Sequence, residues 1–342
     1  MQCNLVFNQP IRPQMTVETL NGKKVVVVFV PEASPLEKPV FFQKTGLPSG
    51  ALGRIGSSNH KCSEDDLRVF YGNQQNTTYD NEIVADSDLS DIDETAIKQY
   101  RELRAAANPN ADELLLDDNG LLRALSCVKK DGDKLKPTVA GLILFGKKTA
   151  LRRCFAMMRV DYIRIPSKEW VKDPEAGFET IEIRDSLVNA IHKTHAAILD
   201  DLPKAFSLPE GEIQRQEIPV IPDRVIREAI VNALMHRSYR DHGSVQVIRY
   251  SNRLEIRNPG HSLVSDDKLG DPGSQARNPV IAAVLHDLNM AETKGMGIRV
   301  MREMMRHSDL QPPFFESDRE KNGFIATFLF HHFLIEEDIE SS

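Results

Sequence analysis

A carboxylate and a carboxamide lie four residues apart in the stretch REAIVNALMHRSY, which runs from Arg227 to Tyr239. If this stretch is helical, Glu228 and Asn232 lie one above the other on the same face. An asparagine carbonyl oxygen can bind Mg²⁺ directly, and a glutamate one turn earlier can accept a proton from an attacking water. These are parts of a site for nucleotide hydrolysis. The same pair would also suit the solvent-exposed face of an ordinary helix.

Apolar spacing predicts the helix that would carry this pair. Ile226, Ile230 and Leu234 recur at helical spacing on the side opposite the pair. His236 follows one turn later, where its ring could contact a phosphate, orient the glutamate or make a structural hydrogen bond.

Two later stretches carry glycines that suit a bound anion. The segment Asn252–Gly260 predicts a strand followed by an Asn-Pro-Gly turn, where the glycine lets a ligand approach the backbone. In ETKGMGIRVM, Gly295 and Gly297 come just before a predicted helix, whose N-terminal amides can bind phosphate. By itself a G-x-G pair is also typical of an ordinary helix entry turn.

Composition and charge limit the classes of protein. The chain has 342 residues, of which 41% are hydrophobic and 27% charged, enough for two or three domains of about 100–200 residues each. A formal net charge of −7 argues against binding nucleic acid with the whole surface and leaves only a local basic patch.

The four cysteines are far apart and form no C-x-x-C pair, which argues against a zinc cage or a disulfide scaffold. Because no apolar run reaches the roughly 20 residues of a membrane helix, we expect a cytoplasmic protein without a membrane partner.

Strand formers dominate the first part of the chain. Asn21-Gly22 predicts a hairpin turn, and the run VVVVFV at 25–30 suits a buried strand. The polar residues 74–92 predict a linker. Of the segments that follow, 138–146 predicts a helix end or a buried strand, and 180–202 predicts one long amphipathic helix.

The last third of the chain alternates helices and strands. The predicted order is helix 223–236, strand 244–250, strand 253–257, loop 261–277, helix 279–288, glycine turn 294–297, helix 298–307 and strand 323–331. This order predicts an α+β sandwich, with helices on one face of a mostly antiparallel sheet. The polar loop could be a mobile lid over a ligand or plain surface.

These stretches together resemble a known family. The strings REAIVNALMHRSY, VQVIRYSNRLEIRNPG and ARNPVIAAVLHDLNMAETKGMGI are similar to the C-terminal domain of proteins labelled as transcriptional regulators or RecG-related helicases. That domain in turn resembles a divergent GHKL-type (HATPase) ATPase domain. The resemblance implies ATP and Mg²⁺ as ligands, Glu228 as the residue that activates water, and Asn232 as the Mg²⁺ ligand. It makes Arg277 part of a recurrent Arg-Asn-Pro, which is either a lid-loop anchor or a structural cap.

The resemblance also assigns the base and phosphate contacts. Asn258 and Gly260 fall where the superfamily has its adenine-binding Asp-x-Gly-x-Gly, and Gly295 and Gly297 fall at the phosphate-lid glycines. Three departures bear on activity: an asparagine replaces the adenine-reading aspartate, only two lid glycines are present, and Ser238 replaces an aspartate in His-Arg-Asp-Tyr. The resemblance therefore implies ATP binding more strongly than turnover.

The N-terminal part resembles the second half of a Schlafen-type AlbA-like domain. The match covers KKVVVVFVPEASPLEKPVFFQKTGLPSGALGRIGSSNHKCSEDDL, and in relatives this domain is thought to bind nucleic acid. Lys44, Arg54 and Lys61 lie in or near its loops and could contact phosphates, or be ordinary surface residues. The match begins midway through the domain, so we expect exposed strand edges.

Two other patterns do not carry chemistry. GLILFGKKT, at 141–149, nearly satisfies a P-loop, but its glycines enclose Leu-Ile-Leu-Phe, which favours burial over phosphate binding. No helicase motor is therefore predicted. The spacing of the histidines matches no zinc motif.

The sequence predicts an α+β protein with a partial AlbA-like domain at 1–73, a linker at 74–92, a mixed α/β connecting region at 93–220, a GHKL-like sandwich at 221–333 and an acidic tail at 334–342. We expect a regulator that binds nucleotide and DNA, in which ATP orders the lid and alters how domains or the two copies of a homodimer pair. Weak Mg²⁺-dependent ATP hydrolysis stays open. The alternative is a non-enzymatic DNA-docking or dimerisation scaffold with a degenerate pocket.

Overall fold

The computed structural model divides the chain into two compact units, Met1–Thr78 and Tyr79–Ser342. Each unit is described by itself. The residues that the structure describes are 6–31, 33, 37–55, 58–64, 66–67, 70–71, 78–170, 178–207, 216–264, 268–271, 273, 275–292 and 295–330.

The first unit contains two small antiparallel pairs of strands. Strands β1 (Gln14–Leu20) and β2 (Lys23–Phe29) form the predicted hairpin. The turn residues Asn21 and Gly22 have φ of 50° and 76°, the left-handed conformation of a type I′ turn. Strands β3 (Leu52–Ile55) and β4 (Ser58–Lys61) form the second pair.

The strand expected to be buried at 25–30 is exposed instead. Val26 is 66% exposed and Phe29 60% exposed. Within the described part of the chain, β1 and β2 pair only with each other, and nearly all of their residues are exposed.

The second unit alternates helices and strands. Its described strands are β5 (Val128–Asp131), β6 (Lys134–Pro137), β7 (Val160–Arg164), β8 (Glu179–Ile183), β9 (Lys204–Ser207), β10 (Gln216–Pro219), β11 (Val245–Arg249), β12 (Arg253–Pro259), β13 (Phe314–Asp318) and β14 (Gly323–Leu329). Its described α-helices are α1 (Glu94–Ala107), α2 (Asp118–Ala124), α3 (Val139–Phe145), α4 (Lys148–Cys154), α5 (Leu187–Asp201), α6 (Asp223–His236), α7 (Pro279–Asp287) and α8 (Gly297–His307).

A six-stranded sheet organises this unit, in the order β13-β14-β12-β11-β7-β8. Its neighbours are antiparallel except for β11 and β7, which are parallel. Helices α5 and α6 pack on the sheet face formed by Val160, Val247 and Ile256, in one large core. The predicted α+β class is confirmed.

Two elements differ from the prediction. Residues 180–202 form no single helix, because β8 takes the first part and α5 begins only at Leu187. Alternation in ETIEI suits pairing with β7, where Ile181 lies opposite Tyr162. Strand β13 was not predicted, because its five residues become a strand only through pairing with β14.

The segment 138–146 is the buried helix α3, begun by Thr138, whose hydroxyl accepts a hydrogen bond from the Gly141 amide at 3.1 Å. A Cβ atom at Gly141 would overlap the carbonyl group of Cys127. This glycine therefore permits close packing of two chain segments and does not line an anion site.

Residues 79–92, expected to belong to a linker, are integrated into the second unit. Asp80 is fully buried and accepts hydrogen bonds from the Val280 and Ile281 amides at the start of α7, at 2.7 and 3.2 Å. The Arg240 guanidinium lies 4.1 Å from the centroid of the Tyr79 ring. These long-range contacts cannot be read from a polar composition.

The sheet also runs across the expected boundary at residue 221, because β7 and β8 come from the expected connecting region. The expected acidic tail, 334–342, lies outside the described residues. Among the described residues, no helix is both long enough and apolar enough to cross a membrane.

Candidate functional site

Three side chains of α6 line a cavity of about 160 Å³. Glu228, Asn232 and His236 follow each other at intervals of four residues on one face of the helix. The opposite, apolar face of α6 packs in the core, where Ile226 and Ile230 are almost fully buried. The helix thus holds the three polar side chains in place by burying its other side.

Glu228 and Asn232 contact each other directly. The Asn232 Nδ2 atom donates a hydrogen bond to Glu228 Oε1 at 3.1 Å. Burial raises the pKa of the Glu228 carboxyl above its usual value, the bond from Asn232 opposes that rise, and the nearby Glu292 carboxylate adds to it. Because the amide nitrogen of Asn232 is used in this bond, its oxygen is the atom left for a ligand.

The N-terminus of α8 lies against the Glu228 and Asn232 side chains. A Cβ atom built at Gly297 would overlap the Glu228 carboxylate and would lie 3.2 Å from Asn232 Nδ2. Glycine at this position permits the close approach of backbone to the two side chains, and any larger residue would displace the Glu228 carboxylate. The first turn of an 11-residue helix, with its free amides, therefore meets the Glu-x-x-x-Asn pair.

Asn258 lies near the end of β12 and is only 6% exposed. It lines the cavity, and its Oδ1 atom is buried without a hydrogen-bond partner. A buried polar atom of this kind is costly unless a ligand or water satisfies it.

Gly260 follows in a left-handed conformation, with φ of 110°. A Cβ atom there would lie 2.9 Å from the Ser238 amide nitrogen and 3.4 Å from Arg277 Nε. Both the backbone angle and the crowding require glycine, so the turn can be explained by packing alone.

The two residues before α7 have different partners. Arg277 lines the cavity and donates from Nη2 to the His261 carbonyl oxygen at 2.9 Å. Asn278 is buried and donates from Nδ2 to the carbonyl oxygens of Met235 and Arg237, both at 2.8 Å. Asn278 therefore caps the C-terminus of α6, while Arg277 anchors the loop that begins at His261.

His236 is neutral in this environment. Burial, with a smaller contribution from the Arg277 guanidinium, lowers the pKa of its imidazole to about 4. A neutral ring can donate or accept one hydrogen bond but supplies no positive charge to a phosphate.

Several cavity residues were missed by the sequence argument. They are Lys268, Asp271, Gln275 and Glu292. Glu292 could have been noticed, since it lies three residues before Gly295 in the glycine-bearing stretch. The others lie in the 261–277 loop, where no spacing marks them. Gly295, with φ of 80°, packs against the Gly273 and Asp271 carbonyl oxygens, so the two glycine-bearing loops contact each other.

The expected nucleic-acid residues lie in the first unit. Lys44 is exposed in a turn, and Lys61 is exposed at the end of β4. The backbone of Arg54 lies in β3 opposite Asn59, and its side chain is outside the described part. Only Arg54 and Lys61 share a pair of strands.

The raised pKa of Glu228 predicts how stability depends on pH. The folded protein holds this proton more tightly than the unfolded chain, so stability falls as pH rises from the ordinary value of 4.5 through the raised one. We expect Glu228→Gln to be more stable than wild type at about pH 7 and equally stable at about pH 4. Thermal unfolding across this range measures the difference. The control Glu102→Gln changes a 67% exposed side chain and should leave the profile unchanged. Identical profiles of stability against pH for wild type and Glu228→Gln would contradict the inference that burial raises the pKa of Glu228.

Comparisons with known proteins agree with part of this picture. Residues 242–328 match the family "Putative ATP-dependent DNA helicase recG C-terminal", and residues 68–161 match a domain of unknown function, DUF8451. The first match includes Asn258, Gly260 and the glycines before α8, while α6 precedes it. A search of curated proteins gives no match.

Among solved structures, one that matches this chain is similar in fold. It is the DIP2311 protein from Corynebacterium diphtheriae, with a TM-score of 0.56 and 18% sequence identity, over 95% of this chain and 60% of that one. The chain thus spans about three-fifths of the length of this structural relative. At this identity the likeness concerns the fold alone. Taken together, the family match and the cavity indicate that residues 242–328 form an ATPase-like domain similar to the RecG-type C-terminal domain.

Proposed function

We propose that this protein binds Mg·ATP in the cavity between α6, α8 and the end of β12. The observation that carries the proposal is the contact between Glu228, Asn232 and the backbone at Gly297. It brings a hard oxygen ligand, a carboxylate and helix N-terminal amides to one end of a largely apolar cavity. The RecG-type family match supports the same class of ligand.

The residues present fit a nucleotide with its metal. The Asn232 amide oxygen would hold Mg²⁺, which would supply positive charge to neutralise the phosphates. The amides at the start of α8 would bind phosphate, and the buried Oδ1 atom of Asn258 would gain the partner that it lacks. Arg277, which lines the cavity, adds a positive charge near the ligand.

Weak hydrolysis is a further part of the proposal. Glu228 would orient a water and accept its proton, and its raised pKa makes it a better base than an exposed glutamate. The Glu228 carboxylate accepts a hydrogen bond from the Asn232 amide nitrogen, and this bond could persist while the amide oxygen holds the metal.

We further propose that the first unit binds DNA and that the protein acts as a transcriptional regulator. The exposed Lys44 and Lys61 support this half, because exposed lysines can contact phosphates. A gel-shift titration with duplex DNA at low and physiological salt tests it. No retardation at micromolar protein at either salt concentration would remove this half of the proposal and leave the nucleotide site untouched.

The experiment for the nucleotide site is a thermal-shift titration with Mg·ATP on wild type, Asn232→Ala and Arg227→Ala. A ligand at 100 times its Kd adds about 2.7 kcal/mol of stability. We expect wild type to shift, Asn232→Ala to lose most of the shift, and Arg227→Ala, changed at an exposed position of the same helix, to keep it.

Absence of any shift in wild type at millimolar Mg·ATP would reject the proposal. It would favour the alternative, a non-enzymatic scaffold in which Glu228 and the start of α8 simply pack together. A shift that Asn232→Ala leaves intact would place the nucleotide elsewhere.

A further inference from the structure

The side-chain amide of Asn258 is buried, yet none of the residues that the structure describes fixes its orientation. Its Oδ1 atom has no hydrogen-bond partner, and none of the hydrogen bonds among the described residues involves this side chain. An amide in a protein interior is normally held one way round by its partners. Here a bound ligand is free to select either orientation.

The surroundings of this amide suit a flat ring. On the same sheet face, Phe324 lies opposite Asn258 in the β12–β14 register, and Ala326 lies opposite Ile256. The rings of Phe315 and Phe324 are stacked, with centroids 6.0 Å apart. These apolar residues line the cavity beside the buried amide of Asn258. A heterocycle could bury its faces there and present one polar edge to the amide.

The chemistry of an amide differs from that of a carboxylate at such a position. A carboxylate only accepts hydrogen bonds, so it matches an edge that donates. An amide has one donor and one acceptor side by side. One orientation matches adenine, which offers an amino group beside the N1 acceptor. The flipped orientation, in which the amide oxygen and nitrogen exchange places, matches a 6-oxopurine, which offers a carbonyl oxygen beside an N1–H donor.

We propose that this cavity accepts 6-oxopurine nucleotides as well as adenine nucleotides, and that Asn258 sets this breadth. The inference rests on the proposed nucleotide site and names its ligand class. It follows from an amide that is buried in the cavity beside apolar side chains and has no hydrogen-bond partner for its oxygen among the described residues.

The test compares Mg·ATP with Mg·ITP by isothermal titration calorimetry. Hypoxanthine differs from adenine only in the edge that carries position 6 and N1, so other contacts are matched. We expect the two Kd values of wild type to agree within about 10-fold. In Asn258→Asp, ITP should lose at least about 10-fold relative to ATP, because a carboxylate would face the carbonyl oxygen.

The control is Asn252→Asp, the same substitution at a residue just before β12 that does not line the cavity. Its ATP-to-ITP ratio should equal that of wild type. If wild type binds ATP 10-fold or more tightly than ITP, the inference is overturned while the proposed nucleotide site stands. An unchanged ratio in Asn258→Asp would also overturn it. If neither nucleotide binds wild type, both proposals fall together.

Discussion

Replacing Asp80 with alanine is expected to lower the free energy of unfolding by about 2–4 kcal/mol. Pro279 opens α7 and has no N–H, so the amides of Val280 and Ile281 are its first donors, and both bond to the Asp80 carboxylate. Alanine would leave two amides without this acceptor at a buried helix end and would remove a negative charge from the positive end of the helix dipole. Chemical denaturation of the whole chain measures the loss.

A control at an exposed helix cap shows how much of the loss in stability is due to the burial of Asp80. Asp117 caps α2 by accepting from the Gly120 amide at 2.8 Å, but at an exposed position. Water can replace that acceptor, so Asp117→Ala should cost no more than about 1 kcal/mol. Equal losses for the two variants would show that the burial of Asp80 adds nothing to its capping role.

Replacing Gly297 with alanine is expected to weaken Mg·ATP binding at least about 10-fold, because positioning of metal and phosphate tolerates little displacement. The added methyl group would overlap the Glu228 carboxylate and crowd the Asn232 amide. Either α8 or Glu228 must then move, at the point where we propose that phosphate and metal bind. Calorimetric titration of wild type and variant gives the ratio of Kd values.

Gly323→Ala serves as the control for this substitution. At Gly323 the nearest contact of an added Cβ atom is the Lys321 carbonyl oxygen at 4.0 Å, and the backbone angle is ordinary. We expect its affinity to equal that of wild type. Unchanged affinity in Gly297→Ala would mean that the start of α8 does not take part in binding.

Local patterns predicted the elements that depend on local physics. The Asn21-Gly22 turn specified the β1–β2 hairpin, because few other residues accept two consecutive positive φ angles. The boundaries of α6 were predicted at 223 and 236 and are found there, because one whole face of that helix is apolar. Strands β8 and β13 escaped prediction, since a five-residue run becomes a strand only when a neighbour supplies its hydrogen bonds.

The same distinction between local patterns and long-range contacts applies to the candidate site. The sequence by itself determined that Glu228 and Asn232 share a helix face, because the helical repeat alone sets their spacing. Only the tertiary structure decided what faces them. The close approach of Gly297 and the unpartnered amide of Asn258 depend on contacts between residues far apart in the chain. Such contacts result from packing the helices on one sheet, and no local pattern in the sequence encodes them.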